Sequence, residues 1–256
     1  MFNVAIRTVF IDSDTGVATY GTGGGITWES VDHEEYDEAL TKADFLTVNW
    51  PAFELLETIK FDGERYVLLE QHLERLARSA RYFGIKCDIE KIEQSLKEHI
   101  KLYRRELRRV RLLVSQQGEI HVKSSILNLF SKDLFPVSLA REPISKGNRF
   151  LYHKTTYRSM YELHRAQNAK AFDVLLWNED GAITEFTNGN IVVEIEGRKF
   201  TPPIECGLLP GTFREKLLNK VLTRTDLEHA THIWFINSVR GWVHVRLVSS
   251  DHKSGN

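Results

Sequence analysis

The stretch FELLETIKFDGERYVLLEQHLERLARSARYFGI, residues 53–85, limits the fold more than any other part of the chain. Its alternation predicts strands over residues 55–60 and 66–69, joined by an Asp-Gly turn. The apolar spacing then changes to a helical period. The predicted helix ends near Gly84, because glycine is a common helix stop. The stretch therefore predicts strand, turn, strand and helix in that order.

Further short elements are predicted on both sides of this stretch. They are a strand over 3–11, an acidic helix from 32, a helix over 90–103, a hairpin over 108–127, a strand over 149–154, a helix over 157–168, several short strands over 172–203, a helix from about Thr212, and strands over 233–248. The irregular stretch 131–149 contains two prolines and a glycine, and we interpret it as the boundary between two domains.

Composition and charge exclude several classes of protein. The 256 residues carry a net charge of -1, so no global basic field is available for nucleic acid. The two cysteines, Cys87 and Cys206, lie far apart and lack metal-ligand spacing, which argues against a disulfide framework. The N-terminus lacks a signal-peptide pattern, and no apolar stretch approaches membrane-spanning length. We therefore expect a cytoplasmic protein with no nucleic-acid or membrane partner.

Lys154 stands between a predicted strand and a predicted helix, in the segment YHKTTYR. A lysine at a strand end is normally solvated. The alternative is a Schiff-base lysine, whose amine loses its proton through burial or nearby cations. A pyridoxal-phosphate site would also need an acid beside the pyridine nitrogen, glycine amides at a helix start for the phosphate, and a cation for its charge.

Candidates for these other parts occur elsewhere in the chain. Glu185, in GAITEFTNGNI, could be the acid, and Arg75, in HLERL, could be the cation. The segment LLPGT offers Gly211 and Thr212 for the phosphate, together with the amide of Phe213. Taken singly, each has an ordinary explanation: an exposed strand-end carboxylate, a helix-surface arginine and a capped helix start.

A small-polar turn near the C-terminus, NSVRG, adds further candidates. Ser238 could bond the phosphate, and the amides of Val239 and Arg240 could hold a substrate carboxylate. An ordinary hairpin turn is the alternative. The nearby pair His229 and His232 has no further ligand close in sequence, so no metal site is predicted.

The order and spacing of these segments resemble the fold-type IV pyridoxal-phosphate enzymes. That family includes branched-chain aminotransferases, D-amino-acid aminotransferases and 4-amino-4-deoxychorismate lyases. The likeness covers about residues 46–256, and it rests on residues 53–85 and on the segments YHKTTYR, LLWNEDGAITEFTNGNIVV and FTPPIECGLLPGTFREKLL. It implies an α+β fold, with a smaller N-terminal α/β domain over 46–140 and a larger β-rich domain with helices over 141–256. It also implies a homodimer.

The resemblance implies a role for each candidate residue. Lys154 would be the Schiff-base lysine and the catalytic base, and Glu185 would pair with the pyridinium nitrogen. Arg158, four residues after the lysine, resembles the position near the substrate carboxylates in the lyases. The phosphate contacts would come from Arg75, Gly211, Thr212 and Ser238.

Residues 1–45 resemble the last segment of aminodeoxychorismate synthase component I, and the rest of the chain is most similar to the lyase domains fused behind that synthase. The resemblance would place residues 23–25 in a chorismate-carboxylate loop and make Glu35 a magnesium ligand. The several hundred residues that would complete such a site are missing from the sequence. We therefore expect a remnant of the synthase without its activity.

Together these features predict a pyridoxal-phosphate-dependent lyase with a small-molecule substrate. It would eliminate pyruvate from 4-amino-4-deoxychorismate to give 4-aminobenzoate, a folate precursor. A class IV aminotransferase acting on branched-chain or D-amino acids is one alternative, because Lys154 and Glu185 would serve both reactions. A non-catalytic fragment of a synthase–lyase fusion is another, against which the intact set of cofactor residues argues.

Overall fold

Two separate units make up the chain, Met1–Pro51 and Ala52–Asn256. The computed structural model describes residues 8–24, 27–43, 51–103, 105–128, 134–214 and 217–248. Every structural statement below concerns these ranges. The division into domains at residues 45 and 140 stays a prediction.

The N-terminal unit contains one hairpin and one helix. Strands β1 (Val9–Ile11) and β2 (Ala18–Tyr20) pair antiparallel, and helix α1 spans Asp32–Ala43. The helix predicted from residue 32 is confirmed, whereas residues 3–7 of the predicted first strand and residue 25 of the glycine-rich segment lie outside the described ranges. The Ser30 hydroxyl donates a hydrogen bond to Glu35 Oε1 over 2.6 Å.

A three-stranded antiparallel sheet and two helices begin the second unit. The strands are β3 (Leu55–Phe61), β4 (Arg108–Val114) and β5 (Ile120–Ile126), and the helices are α2 (Leu69–Phe83) and α3 (Ile89–Ile100). Alternate residues of β3 and β4 point into one apolar core together with the apolar faces of both helices. The predicted hairpin over 108–127 and the helix over 90–103 are confirmed.

Helix α2 begins and ends at residues with left-handed backbone. Leu68, with φ 55°, turns the chain into the helix, and Gly84, with φ 67°, ends it as predicted. The second strand predicted over 66–69 is wrong, because this turn leaves only an isolated bridge between Phe61 and Tyr66. No helix in the described part of the chain combines the length and apolarity needed to cross a membrane.

The rest of the unit forms an eight-stranded sheet that closes on itself. Its strands are β6 (Phe135–Leu139), β7 (Val174–Trp177), β8 (Ile183–Phe186), β9 (Gly189–Ile195), β10 (Arg198–Thr201), β11 (Leu218–Asn219), β12 (His232–Asn237) and β13 (Gly241–Leu247). The ring order is β9-β12-β13-β6-β7-β8, and β8 pairs back to β9, while β10 and β11 extend outward from β9. The strands predicted over 172–203 and 233–248 are confirmed.

Gly189 lets strands β9 and β12 approach closely inside this ring. A Cβ atom at this position would lie 2.6 Å from Phe235 Cζ and 2.7 Å from the Ile236 carbonyl oxygen. Apolar side chains fill the ring, with Phe186, Ile191 and Phe235 almost wholly buried. The interior is therefore a packed core, and polar chemistry is confined to its rim.

The strand predicted over 149–154 is wrong. A short 3₁₀ helix, Arg149–Leu151, stands there, because the Asn148 side chain accepts a hydrogen bond from the Phe150 amide and caps the turn. The following segment joins β3 instead, since the Leu56 amide donates to the Lys154 carbonyl over 2.9 Å. Helix α4, Ser159–Ala166, then occupies most of the predicted helix over 157–168.

The helix predicted from about Thr212 is also wrong over the described residues. Turns occupy residues 211–214, and β11 then runs parallel to β10. The buried Arg214 guanidinium explains the difference, because it donates to the Pro202 carbonyl and, over 3.1 Å, to Asn219 Oδ1. These bonds hold the segment against β10 as a strand. Further along, helix α5 spans Arg224–His229.

Leu76 provides a test of the first core. Its side chain is 1% exposed on α2, whereas Leu163, on α4, is 59% exposed. We expect Leu76→Ala to lower the free energy of unfolding by about 2–5 kcal/mol, because it leaves a cavity. The matched change Leu163→Ala should stay within about 0.5 kcal/mol. Urea unfolding followed by circular dichroism measures both, and equal effects would contradict the described packing.

Candidate active site

A cavity of about 380 Å³ lies where the rim of the closed sheet meets β3, β4 and α2. The structure brings all of the site residues predicted from the sequence to its wall: Arg75, Lys154, Arg158, Glu185, Gly211, Thr212, Ser238, Val239 and Arg240. Its volume suits one small-molecule ligand. Their individual roles stay predictions, and the geometry below states what each group can do.

Lys154 carries its amine into the cavity from a segment that is fixed to β3. The Thr156 amide donates to the Glu54 carbonyl, and the Glu54 amide donates to Thr156 Oγ1, each over 2.9 Å. Burial lowers the pKa of the lysine amine to about 8, and the positive charges of Arg75 and Arg158 act in the same direction. A minor fraction of the amine is therefore neutral near neutral pH, and this form can act as a nucleophile or base.

Glu185 is buried near the end of β8. The Tyr161 hydroxyl donates to Glu185 Oε1 over 2.8 Å, and Asn190 Nδ2 donates to Oε2 over 3.3 Å. Burial raises the pKa of Glu185 to about 7, although the bonds from Tyr161 and the Leu209 amide act against burial. The carboxyl group can therefore hold or release a proton close to neutral pH.

Arg75 is held in place by a buried glutamate. Its Nε donates to Glu57 Oε1 over 2.8 Å and its Nη2 to Oε2 over 2.6 Å, while Nη1 reaches the Pro210 carbonyl at 3.2 Å. Burial disfavours the charged carboxylate of Glu57. The interactions with Arg75 and His72 outweigh this effect and lower the pKa of Glu57 to about 2. Arg75 thus links β3 and α2 to the loop that precedes Gly211.

The turn at residues 211–214 presents backbone donors. Among the described residues, none accepts a hydrogen bond from the amides of Gly211, Thr212 and Phe213. A Cβ atom on Gly211 would lie only 1.9 Å from Asn190 Oδ1, so this position needs glycine. The anion cradle predicted from LLPGT is therefore a turn, not a helix start.

Ser238 lies in the turn between β12 and β13 and lines the cavity. The amides of Val239 and Arg240 both donate to Asn237 Oδ1, over 3.1 and 2.8 Å. The side chain of Asn237 thus shapes the turn and already engages the two amides. Their predicted contact with a substrate carboxylate would compete with these bonds.

The cavity wall is strongly basic. The Arg158 guanidinium donates a hydrogen bond to the Thr187 carbonyl over 2.6 Å, which fixes it just beyond the end of β8. Basic side chains outnumber the two carboxylates on the wall, which belong to Asp173 and Glu185: Arg75, Arg109, Arg111, Lys154, Arg158, Arg165 and Arg240. No carboxylate of the described residues lies within ion-pair distance of Arg109 or Arg111. The wall therefore favours an anionic ligand.

Glu57 and His72 were missed in the sequence, although a signal for Glu57 exists. It falls between Leu55 and Ile59 on the inward face of an alternating strand, where a carboxylate requires a partner. His72 lies one helical turn before Arg75, on the face of α2 that meets β3. A polar residue on each of two apolar faces indicates a buried pair.

Tyr161 and Asn190 had no usable signal. Tyr161 lies in α4 among polar residues, and its contact with Glu185 depends on how the helix packs on β8. Asn190, in TNGN, reads as a turn residue, but it belongs to β9 and bridges Glu185 to the Leu209 carbonyl. Both roles arise from tertiary contacts alone.

The arrangement combines three capabilities in one cavity. Lys154 offers an amine of lowered pKa, Glu185 offers a buried acid, and the turn at Gly211 offers amides for an anion. Reversible bonding of the amine to a carbonyl compound, followed by proton transfer, is the chemistry that such a set supports.

Comparison with known proteins gives consistent matches. Residues 54–248 match the family described as amino-transferase class IV, and residues 1–48 match the chorismate binding enzyme family. A protein of Schizosaccharomyces pombe named "Putative aminodeoxychorismate lyase" is 32% identical over 201 residues, covering 73% of this chain and 86% of that protein.

Solved structures agree with these matches. A structure described as a "Putative amino-acid aminotransferase" from Mesorhizobium loti is 30% identical, with a TM-score of 0.72, and covers 77% of this chain and 100% of that chain. A structure described as "Putative 4-amino-4-deoxychorismate lyase" from Legionella pneumophila is 20% identical and covers 81% of this chain and 85% of that chain. Its TM-score of 0.71 shows a shared fold.

The two buried glutamates predict opposite dependences of stability on pH in the ligand-free protein. Glu185 has a pKa raised from 4.5 to about 7, so the unfolded state releases its proton first as the pH rises. Its contribution to the free energy of unfolding is therefore largest below pH 4.5 and is lost as the pH rises toward 7. We expect Glu185→Gln to remove this loss, as measured by urea unfolding across that range.

Glu57→Gln is the matched change with the opposite sign. The pKa of Glu57 is lowered from 4.5 to about 2, so its contribution is present above pH 4.5 and is lost as the pH falls toward 2. Glu57→Gln should therefore lower the free energy of unfolding at neutral pH and reduce the further loss of stability as the pH falls toward 2. The same pH slope in both variants would contradict the described environments.

Proposed function

The chain belongs to the class IV aminotransferase family, and we propose that within it this protein is a pyridoxal-phosphate-dependent 4-amino-4-deoxychorismate lyase. The reaction would split 4-amino-4-deoxychorismate into 4-aminobenzoate and pyruvate. The observation that carries the proposal is the basic wall of the cavity around Lys154 and Glu185. The match to the S. pombe relative, whose name states the same activity, supports it.

The family uses pyridoxal 5'-phosphate, and the residues present in the cavity fit that cofactor. The amides of Gly211, Thr212 and Phe213, which line the cavity without an acceptor among the described residues, can receive a phosphate. Lys154 supplies an amine of lowered pKa, and Glu185 supplies a buried acid for a ring nitrogen. The donor set therefore matches an aldehyde, a pyridine ring and a phosphate.

Each of these residues would hold one part of the cofactor. Arg75, oriented by Glu57, would offset the phosphate charge, and the amides of Gly211 and Thr212 would bind its oxygens. Ser238 would add a hydroxyl donor from the turn after β12. Glu185 would pair with the ring nitrogen.

Lys154 would act as the base of the reaction. When bound, pyridoxal phosphate supplies a carbonyl that takes up the substrate amine and a ring that accepts electron density from the neighbouring carbon. Lys154 Nζ would remove the proton from the carbon that bears the substrate nitrogen, since a share of the amine is neutral at its pKa of about 8. The bond between the ring carbon and the enolpyruvyl oxygen would then break, the departing enolpyruvate would take up a proton to become pyruvate, and formation of the aromatic ring would drive the step.

The basic wall favours this substrate over a branched-chain amino acid. 4-Amino-4-deoxychorismate carries two carboxylates, and Arg158 with Arg240 would bind them near the mouth of the cavity. Arg109 and Arg111 add further positive charge from β4. A branched aliphatic side chain would instead need an apolar pocket at this place, because charged guanidinium groups are poor partners for it.

An aminotransferase on the same scaffold is the second candidate. The M. loti structure, which is 30% identical, bears an aminotransferase name. Lys154 and Glu185 would serve that reaction too, with the proton returned to a different carbon instead of pyruvate being lost. The products formed distinguish the two reactions.

The proposal also covers where the protein acts, how its domains are divided and what its N-terminal segment does. The protein would act in the cytoplasm, in keeping with two cysteines, Cys87 and Cys206, that form no disulfide. The part that binds cofactor and substrate would comprise a smaller domain over residues 46–140 and a larger one over 141–256. Residues 1–48 match the chorismate binding enzyme family and would add no synthase activity of their own.

Lys154→Ala tests the reaction directly. We expect wild-type protein with pyridoxal phosphate to show a visible absorption band that the variant lacks, because the amine is the atom that bonds the cofactor. Release of 4-aminobenzoate and pyruvate should fall by at least about a hundredfold. Absorption spectroscopy and a product assay measure the two effects.

Lys170→Ala is the control, because this lysine is exposed and does not line the cavity. It should keep the band and the activity. Well-folded wild-type protein that shows no band with excess cofactor would overturn the cofactor assignment. A band accompanied by exchange of amino groups between amino and keto acids, without pyruvate release, would identify the aminotransferase.

We also propose a homodimer. Multi-angle light scattering should then give a mass of twice the 29.6 kDa of one chain. A single species at the mass of one chain, in active protein, would contradict this part of the proposal.

A further inference from the structure

His72 lies next to the anion cradle, the turn at residues 211–214, and contacts both Glu57 and Thr212. The ring is fully buried in the first turn of α2. Its Nδ1 lies 2.6 Å from Glu57 Oε2, and its Nε2 lies 3.4 Å from Thr212 Oγ1. A single imidazole thus joins a charged group in the first core to a hydroxyl on the cavity wall.

The contact with Glu57 fixes which nitrogen carries hydrogen. Glu57 accepts two hydrogen bonds from Arg75, so it is a carboxylate that can only accept. His72 Nδ1 must therefore be the donor in the 2.6 Å contact. The protonation state of the ring then depends only on whether Nε2 also carries a hydrogen.

The state of Nε2 decides where the Thr212 hydroxyl hydrogen points. A neutral ring has a lone pair on Nε2, which would take the single hydroxyl hydrogen of Thr212. Thr212 would then present only lone pairs to the cavity. A protonated ring donates from Nε2 to Oγ1, and the hydroxyl hydrogen is free to point at an anion.

Charged groups surround the ring, and a bound anion would add negative charge to them. Glu57 on β3 and Arg75 on α2 face the ring, and Lys154 lies close enough to feel both of their charges. On the loop side the ring contacts the Thr212 hydroxyl. A phosphate at the Gly211 amides brings negative charge, which stabilises a nearby imidazolium.

We propose that His72 is a positioning residue that turns the Thr212 hydroxyl into a donor for the cofactor phosphate. It carries hydrogen on both nitrogens in the complex, with Glu57 accepting from Nδ1 and Thr212 Oγ1 accepting from Nε2. The inference rests on the cofactor named in the proposed function. It concerns phosphate binding, so it can fail while the lyase proposal stands.

A double-mutant cycle with Thr212 tests the proposal. His72→Asn keeps a donor for Glu57 but does not reach Thr212, and Thr212→Val removes the hydroxyl. Each should weaken the affinity of the apoprotein for pyridoxal phosphate about tenfold, since one hydrogen bond to a charged group is lost. The double variant should be no weaker than either single variant. Equilibrium dialysis gives the dissociation constants.

Binding of pyridoxal, which lacks the phosphate, distinguishes a positioning role of His72 from general support of the fold. The affinity for pyridoxal should change by less than about twofold in both variants, because no phosphate bond is at stake. The exposed His121 supplies a matched control, and His121→Asn should leave both ligands unaffected. Additive losses in the cycle, or equal losses for pyridoxal, would show that His72 only supports the fold and would overturn the proposal.

Nitrogen NMR of the wild-type protein gives an answer that does not depend on how the variants fold. With pyridoxal phosphate bound, both ring nitrogens of His72 should show the shifts of a protonated imidazolium. An unprotonated Nε2 in the complex would overturn the proposal. Wild-type protein that binds no pyridoxal phosphate would instead overturn the proposed function, so the two failures are distinguishable.

Discussion

The buried pair of Glu57 and Arg75 is the interaction on which the site depends. Two N–H donors of one guanidinium meet both oxygens of one carboxylate, and both groups are nearly inaccessible to solvent. Breaking such a pair from one side costs about 3–5 kcal/mol, because a charge is left buried without its partner. The pair joins β3 to α2, and through the Pro210 carbonyl it also holds the loop of the closed sheet. The cradle and the small sheet therefore keep one relative position.

Burial shifts the pKa values of the Lys154 amine and the Glu185 carboxyl group in opposite directions. It disfavours the charged form of each, so the pKa of Lys154 falls to about 8 and that of Glu185 rises to about 7. The two arginines near the lysine increase its shift, whereas Tyr161 moderates that of the glutamate. One amine and one acid thus approach the same pH range from opposite ends. A wall on which basic side chains outnumber carboxylates then favours an anionic ligand between them.

Much of the fold and most of the site could be predicted from the sequence, because the decisive signals were local. The αL stop at Gly84 and the alternation in β4 and β5 depend on near neighbours. The errors came from tertiary contacts. Arg214 holds the segment after the cradle as a strand, and the Asn148 cap replaces a predicted strand with a 3₁₀ turn. His72 was missed because its partners come from distant segments.

The main chain at Lys154 and Thr156 is hydrogen-bonded to Glu54 and Leu56 at the start of β3. Only the side chain can then move when the amine changes partners. A side-chain amine whose backbone is fixed reaches a planar carbon from one side of the plane. If Lys154 acts as the proposed base, this anchored backbone would restrict proton transfer to one face of the carbon, so that a proton is removed and added on the same side.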